Sequence, residues 1–306
     1  MKHVITFFKW LPEELLELLE LTAEVKNKPE NFASSLENST LLMLFQKTST
    51  RTRVSFEVAM TELGGHAVYL DWRTTNMPIT ELAYETRFLS TNCACIMARV
   101  LRHADLQVIA ENASVPVING LDDRYHPTQV LSDFFTIKEK LGQIEDKTIA
   151  YIGIHNNVAN SLLAVGCALG ANIRLCTPLF NEPSRDSELL EWARATGRCE
   201  VVNDAATAIE NADVVYLDTW VDMEFFTDDT YRDERLKRER LMMPYQVTRE
   251  LLGDARALIM HDMPIHLGYE IEREVVEDRR SIIFEQAANL RHTRKALLVW
   301  LMRHAT

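Results

Sequence analysis

The sequence predicts an α/β protein built as two doubly wound parallel-sheet lobes, with a C-terminal helix that crosses back to the first lobe. Three observations predict it. At 306 residues, with 47% hydrophobic and 25% charged content, the chain is long enough for two lobes of about 130 to 150 residues each. Short apolar runs recur along both halves, and helix-length segments separate them. Such runs are buried on both faces, as the strands of a parallel sheet with crossover helices must be.

The opening segment LPEELLELLELTAEV carries Leu11, Leu15, Leu18, Leu19 and Val25 at helical spacing behind Pro12, and reads as an amphipathic helix. The strand-like runs of the first half are Thr40 to Phe45, His66 to Leu70, Ala94 to Val100 and Val115 to Gly120. Those of the second half are Thr148 to Gly153, Asn172 to Pro178, Ala212 to Trp220, Ala257 to Pro264 and Ser281 to Gln286. A long helix is expected from Pro127, and the last helix from Ala287 to Met302. The polar stretch GQIEDK, Gly142 to Lys147, marks the expected boundary. The first lobe is therefore placed at 1–142 with 287–306, and the second at 143–286. No repeat at solenoid periods and no low-complexity tract is present.

The formal charge of −12, from 45 Asp+Glu against 33 Lys+Arg, argues against a general nucleic-acid or anionic-membrane binder, which presents a basic face. Cys93, Cys95, Cys167, Cys176 and Cys199 form no CxxC pair and lie mostly in apolar runs. Buried reduced thiols in a cytoplasmic protein are expected, with no metal site. The apolar run before Glu13 is too short for a signal peptide, and no window approaches a membrane span.

Against that acidic background the stretch FQKTSTRTRVSFEVA, Phe45 to Ala59, places Lys47, Arg51 and Arg53 among Ser49, Thr50 and Thr52. It lies where an apolar strand gives way to a helical pattern. A helix N-terminus at the carboxyl end of a strand offers unpaired N–H groups and a positive dipole end, hydroxyls donate to phosphate oxygens, and arginine forks bind them bidentately. The alternative is a hydroxyl N-cap followed by a solvated basic turn. Arg99 ends another apolar run, and His126 and Gln129 follow a third. Three strand ends would thus bring guanidinium, imidazole, amide and hydroxyl groups together, the makeup that stabilises a developing oxyanion. A dinucleotide oxidoreductase is disfavoured, because the turn GIHNNVANS after the strand at Thr148 lacks the GxGxxG glycines.

Ser49-Thr50-Arg51-Thr52-Arg53, with Arg99 and His126-Pro127-Thr128-Gln129, resembles the aspartate and ornithine carbamoyltransferase family over essentially the whole chain. Asn156-Asn157, Asp218 through Met223 (DTWVDM) and His261 through Pro264 (HDMP) resemble the ornithine branch more than the aspartate branch. The resemblance implies a carbamoyltransferase with two α/β lobes, a homotrimer with active sites at subunit interfaces, and no metal or organic cofactor. Carbamoyl phosphate would meet Ser49, Thr50, Arg51, Thr52, Arg99, His126, Gln129 and Arg291. Of these, Thr52, Arg99, His126 and Gln129 would be catalytic. The amine acceptor, ornithine by default, would meet Asn157, Asp218, Asp222, Met223, Asp262 and Met263, with Asn160 as a further donor. Arg73 and Asn76 in the segment Trp72 to Glu81 would reach a neighbouring subunit's site.

The chain also departs from the family. Asp222 stands where the ornithine enzymes have Ser, Glu224 where they have Gly, Asp262 where they have Cys, and Gln46 where Glu usually precedes the Lys. Extra carboxylates repel the carboxylate of an amino-acid acceptor by on the order of 1 to 4 kcal/mol, which favours a diamine or modified basic amino acid. The family's Arg after Asn is Leu290 here, with Arg291 one place later, about 100° around a helix. These departures keep open a rival of another class, a phospho-ligand-binding homologue without turnover; the intact STRTR, Arg99 and HPTQ argue against it.

Overall fold

The computed structural model describes residues 1–221 and 229–304. The chain divides into two units, Met1–Thr136 with Ala288–Thr306, and Ile137–Ala287.

In the first unit, α1 (Pro12–Asn27) and α2 (Thr50–Glu62), α3 (Leu82–Ser90), α4 (His103–Asn112) and the start of α5 (Pro127–Leu141) surround a sheet of β1 (Thr40–Phe45), β2 (His66–Asp71), β3 (Cys95–Arg99) and β4 (Val117–Leu121). The strands are all parallel, in the order β2-β1-β3-β4. β1 and β3 are buried along nearly their whole length, which is why they read as continuous apolar runs. Leu42, Leu44, Ile96, Ala98 and Val117 pack with Leu106 and Ile109 of α4 into one core. The N-terminal Val4 adds to the outer edge: its N–H donates to Val117 O at 2.8 Å and its carbonyl accepts from Asn119 N–H at 2.8 Å.

In the second unit, β5 (Thr148–His155), β6 (Asn172–Phe180), β7 (Cys199–Val201), β8 (Val214–Leu217) and β9 (Leu258–His261) form a parallel sheet in the order β7-β6-β5-β8-β9. It is accompanied by α6 (Asn157–Ala168), α7 (Ser187–Ala195), α8 (Ala205–Ile209), α9 (Arg232–Met242), α10 (Arg249–Leu252) and α11 (Arg273–Val276). The last helix, α12 (Ile283–Arg303), begins in this unit and ends in the first.

Strand order reverses direction between β1 and β3 in the first sheet and between β5 and β8 in the second. In open parallel sheets the crevice for a ligand opens at that reversal, outside the carboxyl ends of the strands. The residues that follow those four strands stand at these reversals.

Two elements differ from the sequence expectation. Ser281 to Gln286 is not a strand: Ser281 makes a single bridge to Ile259, and Ile283 already opens α12. An apolar run of that length suits a buried helix start as well as a strand, and its burial here comes from the helix. The three-residue β7 was not anticipated; Glu200 and Val201 are exposed, so no apolar run announces it. All five cysteines are free, Cys95, Cys167 and Cys176 buried and Cys93 and Cys199 half-buried. Burial pushes the thiols of Cys93 and Cys176 up to about 11.

Candidate active site

Ser49 terminates the loop after β1 and caps α2. Its backbone is extended, at φ −164° and ψ 113°, and its Oγ accepts from Thr52 N–H at 3.3 Å and donates to Thr52 Oγ1 at 3.0 Å. The rest of the motif sorts by position on the helix. Thr52 is buried, Arg51 half-buried and Thr50 exposed. Arg53 turns away, with its Nε on Glu57 Oε1 at 2.9 Å and its guanidinium 3.9 Å over the Tyr69 ring. It serves the solvated face of α2, so the alternative reading of a solvated basic turn fits Arg53.

Arg99, the last residue of β3, is only 6% exposed, and its Nη1 donates to Gly120 O at 3.5 Å. The β3–β4 register shifts there, Ala98 pairing with Asn119 and Arg99 with Leu121. Gly120 allows this: a Cβ at that position would lie 2.4 Å from Met97 Sδ and 3.4 Å from Arg99 Cβ. After β4 the chain turns around Asp122, a fully buried residue. Its Oδ1 accepts from Arg124 N–H and Tyr125 N–H, both at 2.7 Å, and its Oδ2 from Asn119 Nδ2 at 2.9 Å. His103 Nδ1 lies 2.6 Å from the same Oδ2. This closed loop delivers His126 to the head of α5, where Pro127 fits the first helical position.

His126 and Gln129 are both buried. Gln129 Nε2 donates to Asp133 Oδ1 at 3.0 Å one turn on, which orients its amide. Burial holds the His126 imidazole well below the ordinary histidine range, and the charges of Arg99, Arg294, Arg51 and Lys47 press it in the same direction. His126 is thus a neutral imidazole set among cations. Gln46 is a backbone partner, its Oε1 accepting from Leu101 N–H at 2.8 Å.

The expected Arg291 does not join this cluster. Its Nη1 lies 3.1 Å from Glu62 Oε1 on a half-exposed surface. Glu62 ends α2, roughly 15 Å along the axis from Ser49 to Thr52. The guanidinium that does reach the first turn of α2 belongs to Arg294, which donates from Nη1 to Arg51 O at 3.0 Å and to Thr52 O at 3.5 Å. Nothing in the local sequence pointed to Arg294, since its partners lie 243 and 242 residues away.

In the second unit, β5 and β8 are followed directly by Asn156 and Asp218. Asn156 caps α6, its Oδ1 accepting from Val158 N–H at 3.0 Å and Ala159 N–H at 3.2 Å, and it also accepts from Tyr151 Oη at 3.1 Å. Its Nδ2 donates to Asp218 Oδ2 at 2.6 Å, while Asp218 Oδ1 accepts from Thr219 N–H at 2.7 Å. Leu217 of β8 is paired with His261 of β9, so Asp218 and Asp262 are the next residues on neighbouring strands, and Asp262 N–H donates to Leu217 O at 3.2 Å. Burial and the Asp262 charge raise the Asp218 carboxyl to about 7, against the opposing pull of Asn156, His261 and Thr219.

The segment after Asp262 is fixed by a buried pair. His261 Nδ1 accepts from Met263 N–H at 2.7 Å, so the ring proton sits on Nε2, 3.0 Å from Glu270 Oε1, which also accepts from His266 N–H at 2.6 Å. Met263 holds φ at +65° before a cis bond to Pro264. Asn157 opens α6 half-buried, next to the cap. Asn160 is consumed by structure: its Oδ1 lies 2.9 Å from His155 Nε2 and its Nδ2 donates to Ser184 O at 2.7 Å. Asp222, Met223 and Glu224 lie outside the described residues. Asp122 and Glu270 are organising residues that the sequence alone did not single out, and Asn156 stood out only within the Asn-Asn turn, with no role; of the first two only Asp122, heading an Asp-x-x turn, had a local signal.

Residues 2–139 match the family model for the aspartate/ornithine carbamoyltransferase carbamoyl-P binding domain, and residues 145–301 the model for the Asp/Orn binding domain. The ornithine carbamoyltransferase of Pyrococcus abyssi is 40% identical, covering 96% of this chain and 93% of the relative. That of Methanosarcina acetivorans is 41% identical, with 99% of each chain covered. The structure of ornithine carbamoyltransferase from Pyrococcus furiosus superposes with a TM-score of 0.91 at 36% identity, covering 100% of this chain and 98% of that one. With both family models matched in chain order and relatives alike over nearly their whole length, this chain belongs to the aspartate/ornithine carbamoyltransferase family.

Proposed function

We propose that the chain transfers the carbamoyl group of carbamoyl phosphate to the amine of an ornithine-type acceptor and releases phosphate. The observation that carries this reading is the set of groups at the ends of β1, β3 and β4: a capped helix N-terminus with hydroxyls, two buried or half-buried arginines, a neutral imidazole and an oriented amide. Ser49, Thr50, Arg51 and Thr52 hold the phosphate through N–H, O–H and guanidinium donors. Arg99, His126 and Thr52 address the carbamoyl oxygen, and Gln129 the carbamoyl amide.

In the reaction a neutral amine attacks the carbamoyl carbon and forms the C–N bond, negative charge builds on the carbonyl oxygen, and the C–O bond to phosphate breaks. Phosphate leaves with the proton lost by the amine, so no separate base is obligatory. A neutral His126 donates an N–H to the growing oxyanion while Arg99 supplies the charge, and both are placed before reaction, which is where most of the rate advantage of such sites arises. Asn157, Asp218, Asp262 and Met263, with Asp222 and Met223, form the acceptor side.

A second reading of the acceptor is favoured by one observation. Asp262 follows β9 beside Asp218, and burial together with the Asp262 charge raises the Asp218 carboxyl to about 7. Two carboxylates at adjacent strand ends suit an ammonium or a diamine better than the carboxylate of an amino acid. Phosphate release from carbamoyl phosphate against ornithine, lysine, putrescine and aspartate, with mass detection of the ureido product, separates the two; release with none of these amines would refute both.

The assembly we propose is a homotrimer, with Arg73 and Asn76 reaching a neighbour's site. Ile79 at 81% exposure and Tyr84 and Phe88 at 63% each support it, a run of large apolar side chains on the surface of the first unit. Arg73 itself pairs with Asp71 at 2.6 Å within one chain. A cytoplasmic location agrees with five free cysteines; no helix among the described residues is long and apolar enough to cross a membrane.

A further inference from the structure

We propose that Arg294 is a positioning residue for the phosphate end of the site; this rests on the assignment of carbamoyl phosphate to the first unit. Arg294 is 1% exposed, and its guanidinium lies 4.9 Å over the Phe56 ring, one helical turn beyond Thr52. From there Nη1 donates to the carbonyls of Arg51 and Thr52. Ser55 Oγ donates to the same two carbonyls from the helix itself.

The consequence follows from the planarity of the peptide. The carbonyl of Arg51 and the N–H of Thr52 belong to one rigid trans unit, as do the carbonyl of Thr52 and the N–H of Arg53. A donor fixed on the carbonyl side therefore also fixes the N–H on the opposite side, and these two N–H groups hold the cap: Thr52 N–H donates to Ser49 Oγ at 3.3 Å and Arg53 N–H to Ser49 O at 3.1 Å. A cation on the carbonyl also polarises the peptide and strengthens its N–H as a donor. Arg294 thus fixes the capped first turn on which Ser49 and Thr52 hold their hydroxyls against each other.

A second observation is independent of those hydrogen bonds. Burial, and after it the charges of Arg99, Arg294, Arg51 and Lys47, hold the His126 imidazole well below the ordinary histidine range. Four cations from four separate segments, the loop after β1, α2, β3 and α12, therefore act on one imidazole. A buried guanidinium at the positive end of a helix, amid like charges, is placed against the helix dipole. An arginine that served packing alone would be better placed at a helix C-terminus. A dianion bound at the N-terminus of α2 reverses that balance. Leu290, buried one turn earlier on α12, leaves Arg294 as the guanidinium on that face, while Arg291 stays with Glu62.

The test compares the parent chain with Arg294→Met and Arg294→Lys by steady-state kinetics and by calorimetric titration with carbamoyl phosphate and with inorganic phosphate. The methionine variant is expected to raise the carbamoyl phosphate KM and the phosphate Kd by about tenfold or more, as for lost charge-assisted hydrogen bonds, and to lower kcat, with the amine KM within about twofold. Lysine keeps the charge, but its ammonium on a flexible stem lacks the planar guanidinium that seats Nη1 between both carbonyls over Phe56, and is expected to fall between the two, at about three- to fivefold. Phosphate constants of Arg294→Met within about twofold of the parent, beside a lower melting temperature, would show an arginine that only packs. If the methionine variant does not fold, unchanged constants in Arg294→Lys overturn the proposal. A parent chain that binds neither carbamoyl phosphate nor phosphate would overturn the assignment of the first unit, and this role with it.

Discussion

Asn156 and Asp218 are joined by a 2.6 Å hydrogen bond between the ends of β5 and β8, and the same asparagine caps α6. One side chain therefore couples the stability of a helix to the placement and ionisation of the carboxylate expected to meet the acceptor.

Asn156→Ala removes both functions. Loss of the cap is expected to cost about 1 kcal/mol, read as a lower melting temperature. The bond from Asn156 is one of the influences that lowers the Asp218 carboxyl, so its loss raises that carboxyl further. The acid limb of kcat/KM for the amine should then move to higher pH. A limb that stays in place while stability falls would confine Asn156 to the helix.

Asp262→Asn tests the pairing of carboxylates. Asp218 keeps its proton in the fold up to about 7, whereas its ordinary value is 3.8. Folded protein binds that proton when the unfolded chain has lost it, so this group's contribution to stability falls as pH rises from about 4 to about 7, and stays low above that. Removing the Asp262 charge is expected to stabilise the chain at pH 8 by roughly 1 to 3 kcal/mol and to change little at pH 5. Thermal melts at the two pH values decide it; an equal change at both would separate Asp262 from the ionisation of Asp218.

His126 is expected to be neutral across the physiological range, because burial and its arginine neighbours act in one direction. Histidine-labelled nitrogen spectra should show no protonation of this ring between pH 6 and 8. His126→Ala is expected to lower kcat by about a hundredfold to a thousandfold, the usual cost of an oxyanion donor, and His126→Asn, which keeps a donor, by less.

Gly120→Ala places a methyl group 2.4 Å from Met97 Sδ, at the register shift that seats Arg99. Overpacking of this kind costs about 1 to 3 kcal/mol. The variant should melt lower and lose carbamoyl phosphate affinity together; normal affinity would mean that Met97 alone gives way.

Arg291→Ala should leave the carbamoyl phosphate KM within about twofold. Its pair with Glu62 is half-exposed, so stability should change by less than about 1 kcal/mol. Measured beside the Arg294 variants, it shows which arginine of α12 serves the site.

The sheets were legible because their strands are buried on both faces: β1, with Leu41 to Phe45 all buried, cannot be mistaken for a solvated segment. The same reasoning failed at Ser281 to Gln286, where apolar residues serve a helix start, and was silent at β7, too short and too exposed to leave a pattern. Of the residues proposed for the phosphate side, Ser49, Arg51, Arg99, His126 and Gln129 carry a local signal, since each follows or ends a strand or heads a helix. Arg294 could not, because a guanidinium that crosses to carbonyls 242 and 243 residues away leaves no trace in its own neighbourhood. Arg291, which looked closer to the expected place, fails through helical geometry: one residue along α12 turns the side chain toward Glu62. Asn160 looked like an acceptor donor and is spent on His155 and Ser184, an internal satisfaction that only the packed structure reveals.

The most direct measurement follows carbamoyl phosphate labelled with carbon-13 by NMR in the presence of ornithine and purified protein. The expected result is transfer of the label to a ureido carbon, with one phosphate released per product and no release without amine. Label appearing only as carbamate and bicarbonate, at a rate indifferent to the amine, would contradict the assignment.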